Sequence, residues 1–282
     1  MNITPSLRIG IIGGTGRTGS QFARLFSEQG FPVEVTGRKT RARNAELFRT
    51  CDIIIFAVPL AESVSIIEEA IVHATREDQL LLDVSSLKQK QVAALQKGAG
   101  EVVGMHPLFG PWTEVHGETV ILCPARAADT TVQSLEELLH SMGLKTKRMS
   151  AEEHDKLMAL LQVLPHVKNF LVADVLQRID ADVSKILETC TPPYELELNV
   201  VGRFLDDNPA LYGPIILNNP DTLSILEAFN AALSDCIAMA KKQDLKRFSE
   251  RYEQLRSFFG AHAKEGREST EACIRFLSSQ QS

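Results

Sequence analysis

Near its N-terminus the chain reads Ile9-Gly10-Ile11-Ile12-Gly13-Gly14-Thr15-Gly16-Arg17-Thr18-Gly19. An apolar run of strand length enters G-x-G-x-x-G, and a helical pattern follows. This sequence of features constrains the fold more than any other, because a strand that turns on glycines into a helix opens a nucleotide-binding βαβ unit. Gly14 is expected to permit the tight turn, Gly16 to let the backbone approach a pyrophosphate, and Gly19 to let helix and strand pack closely. The phosphates would then sit at the helix N-terminus beside Thr15, Arg17 and Thr18. A lone fingerprint is weak evidence, but here it follows a strand and starts a helix. A dinucleotide cofactor is therefore expected.

The second strand selects between the two nicotinamide cofactors. It ends Val35-Thr36-Gly37-Arg38-Lys39, without the terminal Asp or Glu that holds a ribose 2′-hydroxyl. Arg38 can pair with a 2′-phosphate through its planar fork, and Thr36 can add a hydroxyl. NADP is therefore expected ahead of NAD. Val58-Pro59 ends the next strand and should border the cofactor, since ligands of such sheets bind beyond the carboxyl ends of the strands.

Strand-like runs at Ile9 to Ile12, Val33 to Thr36, Asp52 to Val58 and Gln79 to Val84 alternate with helical patterns, and Val102-Val103, Thr119 to Leu122 and Leu144 to Lys147 could extend the sheet. This alternation predicts an α/β, Rossmann-type doubly wound parallel sheet. From Ser150-Ala151-Glu152-Glu153, which reads as a capping box, the patterns are helical. The expected division is residues 1–149 for cofactor binding and residues 150–282 as an all-helical domain for substrate binding and dimerisation.

Composition limits the partners. The 282 residues carry a formal charge of −6 and five scattered cysteines without metal-site or disulfide spacing. No nucleic-acid partner, membrane span, signal peptide or metal site is expected, and a cytoplasmic setting is.

The chemistry should centre on two turns that open at the same sheet edge. Asp83-Val84-Ser85-Ser86-Leu87-Lys88 closes one strand, and Gly104-Met105-His106-Pro107-Leu108-Phe109-Gly110-Pro111 follows the next. A histidine at such an edge can accept a proton at physiological pH.

Together with Glu153-His154-Asp155, Pro192-Pro193-Tyr194, Val201-Gly202-Arg203 and Pro209-x-Leu211-Tyr212, these motifs occur in the order found in prephenate dehydrogenases. The chain resembles the cyclohexadienyl (prephenate or arogenate) dehydrogenase family, in particular the dehydrogenase part of the bifunctional chorismate mutase–prephenate dehydrogenase. The resemblance implies oxidative decarboxylation of a cyclohexadienyl acid with hydride transfer to NADP+, in aromatic amino acid biosynthesis, by a homodimer. It assigns His106 as the catalytic histidine and Ser86 as the residue orienting the ring hydroxyl. It also assigns Arg203 to the ring carboxylate and His166 to the region of the pyruvyl side chain, with Lys88 and Tyr212 as polar pocket residues. His154 stands twelve residues before His166, roughly 18 Å along one helix, so only His166 is expected in the substrate site and His154 is expected to be structural or cofactor-side. One departure is Glu195, where the bifunctional enzyme has an arginine. A carboxylate there would favour a substrate bearing an amino group, such as arogenate or 4-amino-4-deoxyprephenate. A reading from another class is a non-catalytic NADP-sensing protein.

Overall fold

A computed structural model describes residues 1–110 and 113–280; Pro111, the last residue of the histidine motif, lies outside them. The N-terminal half forms one seven-stranded sheet in the order β2-β1-β3-β4-β5-β6-β7. Its strands are β1 (Ile9–Ile12), β2 (Val33–Thr36), β3 (Ile53–Phe56), β4 (Leu80–Asp83), β5 (Glu101–Pro107), β6 (Thr119–Arg126) and β7 (Lys145–Arg148). The sheet is mixed, which corrects the all-parallel expectation. β1 to β5 are parallel, but β6 runs antiparallel to β5, and β7 is parallel to β6. The reason is the connection between β5 and β6, which has no helix among its described residues and is too short for a crossover; strands joined that way reverse. Helix α5 (Asp129–Ser141) connects β6 to β7 and restores the parallel relation.

Both faces of the sheet are covered. Ile9, Ile11, Ile53, Ile55, Leu80 and Leu82 point to one layer, which holds Phe22 and Phe26 of α1 (Arg17–Glu28) and Leu135 and Leu139 of α5. Ile54, Phe56 and Leu81 point to the other, with Leu47 and Phe48 of α2 (Asn44–Thr50), Ile67 and Ile71 of α3 (Leu60–Ile71) and Leu95 of α4 (Gln89–Leu95). Consecutive strand residues thus serve opposite cores, which is why these strands read as continuous apolar runs.

Beyond β7 the chain is helical. Ser150 caps α6 (Ala151–Met158) through the capping box expected from its sequence, accepting the Glu153 N–H while Glu153 accepts that of Ser150. A π turn, Ala159–Val163, precedes α7 (Leu164–Arg178). Pro165 has no N–H to continue the α ladder, and a π turn is a usual accommodation of such a break. The remaining helices are α8 (Val183–Thr189), α9 (Pro192–Asp206), α10 (Pro209–Asn218), α11 (Thr222–Lys242), α12 (Leu245–Phe259) and α13 (His262–Gln280).

Two compact units result, and their division differs from the expected boundary at 149. The first comprises residues 1–163 and 210–221, the second residues 164–209 and 222–282. Helix α6 belongs to the sheet unit because Met158 is fully buried with Ile121 and Cys123 of β6. Residues 210–221 return to that unit through Asn219, whose side-chain amide donates to the Asp155 carbonyl at 2.9 Å. Within the second unit, α11 leaves Leu223, Leu226, Leu233 and Ile237 exposed. By length and hydropathy alone, the helix Ala151–Arg178 and α11 could each cross a membrane, although no such span was expected from the sequence.

The core assignment has a direct test. Phe22 is fully buried, so Phe22→Ala should cost about 3–5 kcal/mol in urea unfolding. Val72→Ala, at an exposed position, should stay within about 0.5 kcal/mol.

Candidate active site

At the carboxyl ends of β1, β2 and β3 lies a cavity of about 280 Å³. Gly13, Thr15 and Gly16 from the first turn line it, with Thr36, Gly37 and Arg38 after β2 and Ala57, Val58 and Pro59 after β3. Thr15, Gly16, Thr36, Arg38, Val58 and Pro59, all singled out from the sequence, are among its lining residues. Gly14, Arg17, Thr18 and Gly19 do not line the cavity. The tight turn belongs to Gly13, at φ +86°, where a side chain would also run into the Ala57 carbonyl. Gly14 is instead needed for close approach, since a Cβ there would lie 2.6 Å from Val35. Gly19 has its expected packing role, because a Cβ would strike the Gly13 carbonyl. At Gly16 a Cβ would meet only the Gly13 carbonyl oxygen, at 3.2 Å. The main chain there is open to close approach by a ligand, and Gly16 is also the N-cap of α1. A narrow glycine cradle ending in free helix N–H groups fits a pyrophosphate.

The rim of this cavity is basic on one side. Arg38 is joined there by Arg41, which lies in the 3-10 segment Arg38–Arg43 and was not singled out from the sequence. Arg41 is held by the Glu69 carboxylate through two nitrogens, whereas Arg38 has no carboxylate partner among the described residues. Thr36 is not offered to a ligand as expected. Its hydroxyl donates to Asn44 Oδ1 at 2.6 Å and is buried. Glu34 is turned to Arg8, while Glu62 of α3 supplies a carboxylate on the far wall.

The second cluster lies where β4 and β5 end, in the same unit. Asp83 is in register with Gly104 of β5, and His106 lies inside β5 rather than in the loop beyond it, 3% exposed. Lys88 is fully buried, with its ammonium 2.5 Å from Asp83 and 2.7 Å from the Met105 carbonyl. Lys88 is therefore not a pocket residue; Asp83 and the β5 backbone occupy it. Ser85 closes the turn, its backbone N–H donating to Asp83 at 3.1 Å and its hydroxyl to the Leu87 carbonyl at 3.0 Å. Its neighbour Ser86 stays partly exposed.

Helix α6 completes this cluster. Asp155 accepts the backbone N–H groups of Lys88 at 2.8 Å and Gln89 at 3.0 Å, and so caps α4. His154, also fully buried, sits between Asp155 and His106. Its Nδ1 is 2.8 Å from Asp155 Oδ1 and its Nε2 2.8 Å from His106 Nδ1. Sequence reasoning set His154 apart from the substrate histidine; the fold puts it against the candidate catalytic ring. The Glu153-His154-Asp155 motif was the available signal. Burial pushes the His106 pKa well below its ordinary value, and the nearby His154 and Lys88 add to this. Burial lowers His154 as well, against the opposing pull of Asp155. Both rings are therefore neutral at physiological pH.

Tyr212, expected in the helical domain, falls in the first unit with α10. The second unit holds His166 and Arg203. His166 stacks on Phe204 with ring centroids 5.8 Å apart, and burial lowers its pKa. Arg203 is exposed and lines a cavity of about 850 Å³ formed within α7, α8 and α9 and the segment joining α7 to α8.

Family models match both halves of the chain. The prephenate dehydrogenase nucleotide-binding domain matches residues 23–147, and the prephenate dehydrogenase dimerization domain matches residues 150–254. The chain belongs to the prephenate and arogenate dehydrogenase family. It is 30% identical to a probable arogenate/prephenate dehydrogenase of Methanocaldococcus jannaschii, over 98% of this chain and 66% of that protein. It is 28% identical to the T-protein of Enterobacter agglomerans, over 93% of this chain and 70% of that one. The chain thus spans about two thirds of the length of these relatives. The fold is also that of Aquifex aeolicus prephenate dehydrogenase in complex with hydroxyphenyl propionate and NAD+, with a TM-score of 0.69 at 19% identity over 92% of this chain and 99% of that one. As a member of this family, the chain is an NAD(P)-dependent oxidoreductase acting on a prephenate-type substrate. The junction between the two family models lies at residues 148–149, whereas packing draws α6 back to the sheet.

The depressed histidines fix a pH dependence. The unfolded rings bind protons near pH 6.5, while the folded rings of His106, His154 and His166 do so only at lower pH. The stability linked to them is complete above pH 6.5 and is lost as pH falls from there toward the folded values. Urea unfolding should therefore show lower stability at pH 5.5 than at pH 7.5, above the range in which carboxylates titrate; equal stability would contradict neutral burial.

Proposed function

We propose that this family member oxidatively decarboxylates prephenate itself and uses NADP+ in preference to NAD+. The observation that carries the reading is His106, a neutral imidazole held at the carboxyl edge of the sheet that bears the glycine cradle. A base with a depressed pKa is unprotonated at physiological pH and ready to accept the proton of the ring hydroxyl. Ser86, on the adjacent turn, would orient that hydroxyl. Arg203 would hold the ring carboxylate by a bidentate pair, with His166 and Tyr212 near the side-chain end of the substrate.

The bound nicotinamide would supply the hydride acceptor, and loss of CO2 makes the ring aromatic. The residues of this chain bind, orient and accept a proton; the chemistry asks of them no covalent nucleophile. Gly13, Gly16 and Gly37 would seat the dinucleotide, and Arg38, aided by Arg41, would hold its 2′-phosphate. The absence of an acid at the end of β2 supports NADP+.

Glu195, in the first turn of α9, supports a second reading. A carboxylate there suits a substrate with an amino group, namely arogenate or 4-amino-4-deoxyprephenate. We also place the enzyme in the cytoplasm as a homodimer formed through the helical unit. The exposed apolar face of α11 and the five free thiols accord with this.

Turnover of prephenate, arogenate and 4-amino-4-deoxyprephenate, each with NAD+ and NADP+, tests the reading. Prephenate with NADP+ should give the highest kcat/KM, and Arg38→Asp should lower the NADP+ to NAD+ ratio about tenfold or more, as loss of a charge-assisted pair implies. His106→Asn should cut kcat by about 10²–10⁴ with little change in cofactor affinity. Near-normal turnover by that variant, or an unaltered cofactor ratio, would oppose these assignments. Sedimentation at micromolar concentration should show a dimer; a monomer would refute the assembly.

A further inference from the structure

The hydrogen positions in the buried cluster follow from one carboxylate. Asp155 Oδ1 accepts the Lys88 N–H at 2.8 Å, and Oδ2 accepts the Gln89 N–H at 3.0 Å. Neither amide can do anything but donate, so the carboxylate is committed as an acceptor. The same Oδ1 lies 2.8 Å from His154 Nδ1, which must then carry a hydrogen. A neutral imidazole with its hydrogen on Nδ1 has a lone pair on Nε2. That lone pair meets His106 Nδ1 at 2.8 Å. Two lone pairs cannot face each other at this distance, so His106 also carries its hydrogen on Nδ1, and its Nε2 is left bare. Among the described residues, His106 Nε2 takes no hydrogen-bond partner.

We infer that Asp155 and His154 are positioning residues that lock His106 in the Nδ1–H tautomer, which makes Nε2 the atom that accepts the substrate's hydroxyl proton. This rests on the reading of His106 as the base. Free neutral imidazole in water prefers its hydrogen on Nε2, and in that form His106 would offer the hydroxyl a donor where an acceptor is needed. When the hydroxyl O–H bond breaks and the proton joins Nε2, the positive charge on the ring strengthens the Nδ1–H bond to His154. Asp155, one ring further on, balances that charge. The depressed pKa values of the two histidines agree with a relay of neutral rings in the resting protein. His154 therefore acts through His106 and touches no reacting atom.

Long-range 1H–15N correlation spectra of the full chain, labelled with 15N-histidine, read the tautomers directly. Signals can be assigned with His106→Asn and His154→Gln. At pH 7.5 the wild-type His106 should show a protonated Nδ1 and a bare Nε2. His154→Leu should shift His106 toward the Nε2–H form and lower kcat by about 10²-fold or more, the size of a general-base contribution. His154→Gln, whose amide oxygen can accept from Nδ1–H near the same place, should restore the wild-type tautomer and most of kcat. A wild-type His106 protonated on Nε2, or a tautomer unchanged by His154→Leu, overturns the inference. Should the leucine variant fail to fold, the wild-type and glutamine spectra decide it. If the tautomer is as inferred but His106→Asn still turns over, the relay stands and the catalytic reading of His106 falls.

Discussion

The carboxylate of Asp155 is the constraint from which the candidate site is built. The first N–H groups of any helix lack partners within it, and α4 satisfies two of its own, from Lys88 and Gln89, on this side chain. The contact fixes α6 against the turn after β4. Once α6 is seated, the residue before Asp155 has one place to go, and His154 arrives against His106. A cap that satisfies one helix thus also aligns an imidazole on another element. The same helix is tied from the far side by Asn219, which explains why residues 210–221 belong with the sheet although they are distant in sequence.

Burying charge in such a place is costly unless each group is paired. Asp83 and Lys88 pair with each other, and the lysine's second bond goes to the Met105 carbonyl, next to the catalytic candidate. The cation so positioned contributes to keeping both histidines neutral. The polar cluster therefore does two things at once. It satisfies groups that would otherwise destabilise the fold, and it sets the protonation state that a proton acceptor needs.

At the cofactor end the controlling physics is steric. Gly13 takes a left-handed backbone conformation against the Ala57 carbonyl, Gly14 admits Val35, and Gly19 admits the Gly13 carbonyl. These close approaches draw the first turn down onto β2 and β3 and leave Gly16 bare at the start of α1. The basic rim comes from a different source, the 3-10 segment after β2. That segment, kinked at Thr40, contributes both Arg38 and Arg41 to the cavity lining.

Much of this was legible in the residues. The strand and helix order, the glycine fingerprint, the basic end of β2 and the placing of Asp83 and His106 at one edge all follow from local patterns and the period of two along buried strands. The reversal of β6 was not read, although the short link before it contained the reason. Lys88 looked like a pocket residue because a motif records only that a lysine is present, not that its side chain turns back onto the carboxylate five residues earlier in the chain. His154 was set aside on the geometry of a single helix, an argument that compared it with His166 and could not see a strand from elsewhere in the chain. Sequence alone determined the class of cofactor, the family and the chemical types at the site, since those depend on which groups are present at which spacing. Tertiary structure alone decided which ring touches which, where Lys88 spends its charge and which glycine makes the turn. His106 and His154 are 48 residues apart and Lys88 and Asp155 are 67 apart, so those contacts exist only once separate elements pack within hydrogen-bonding distance.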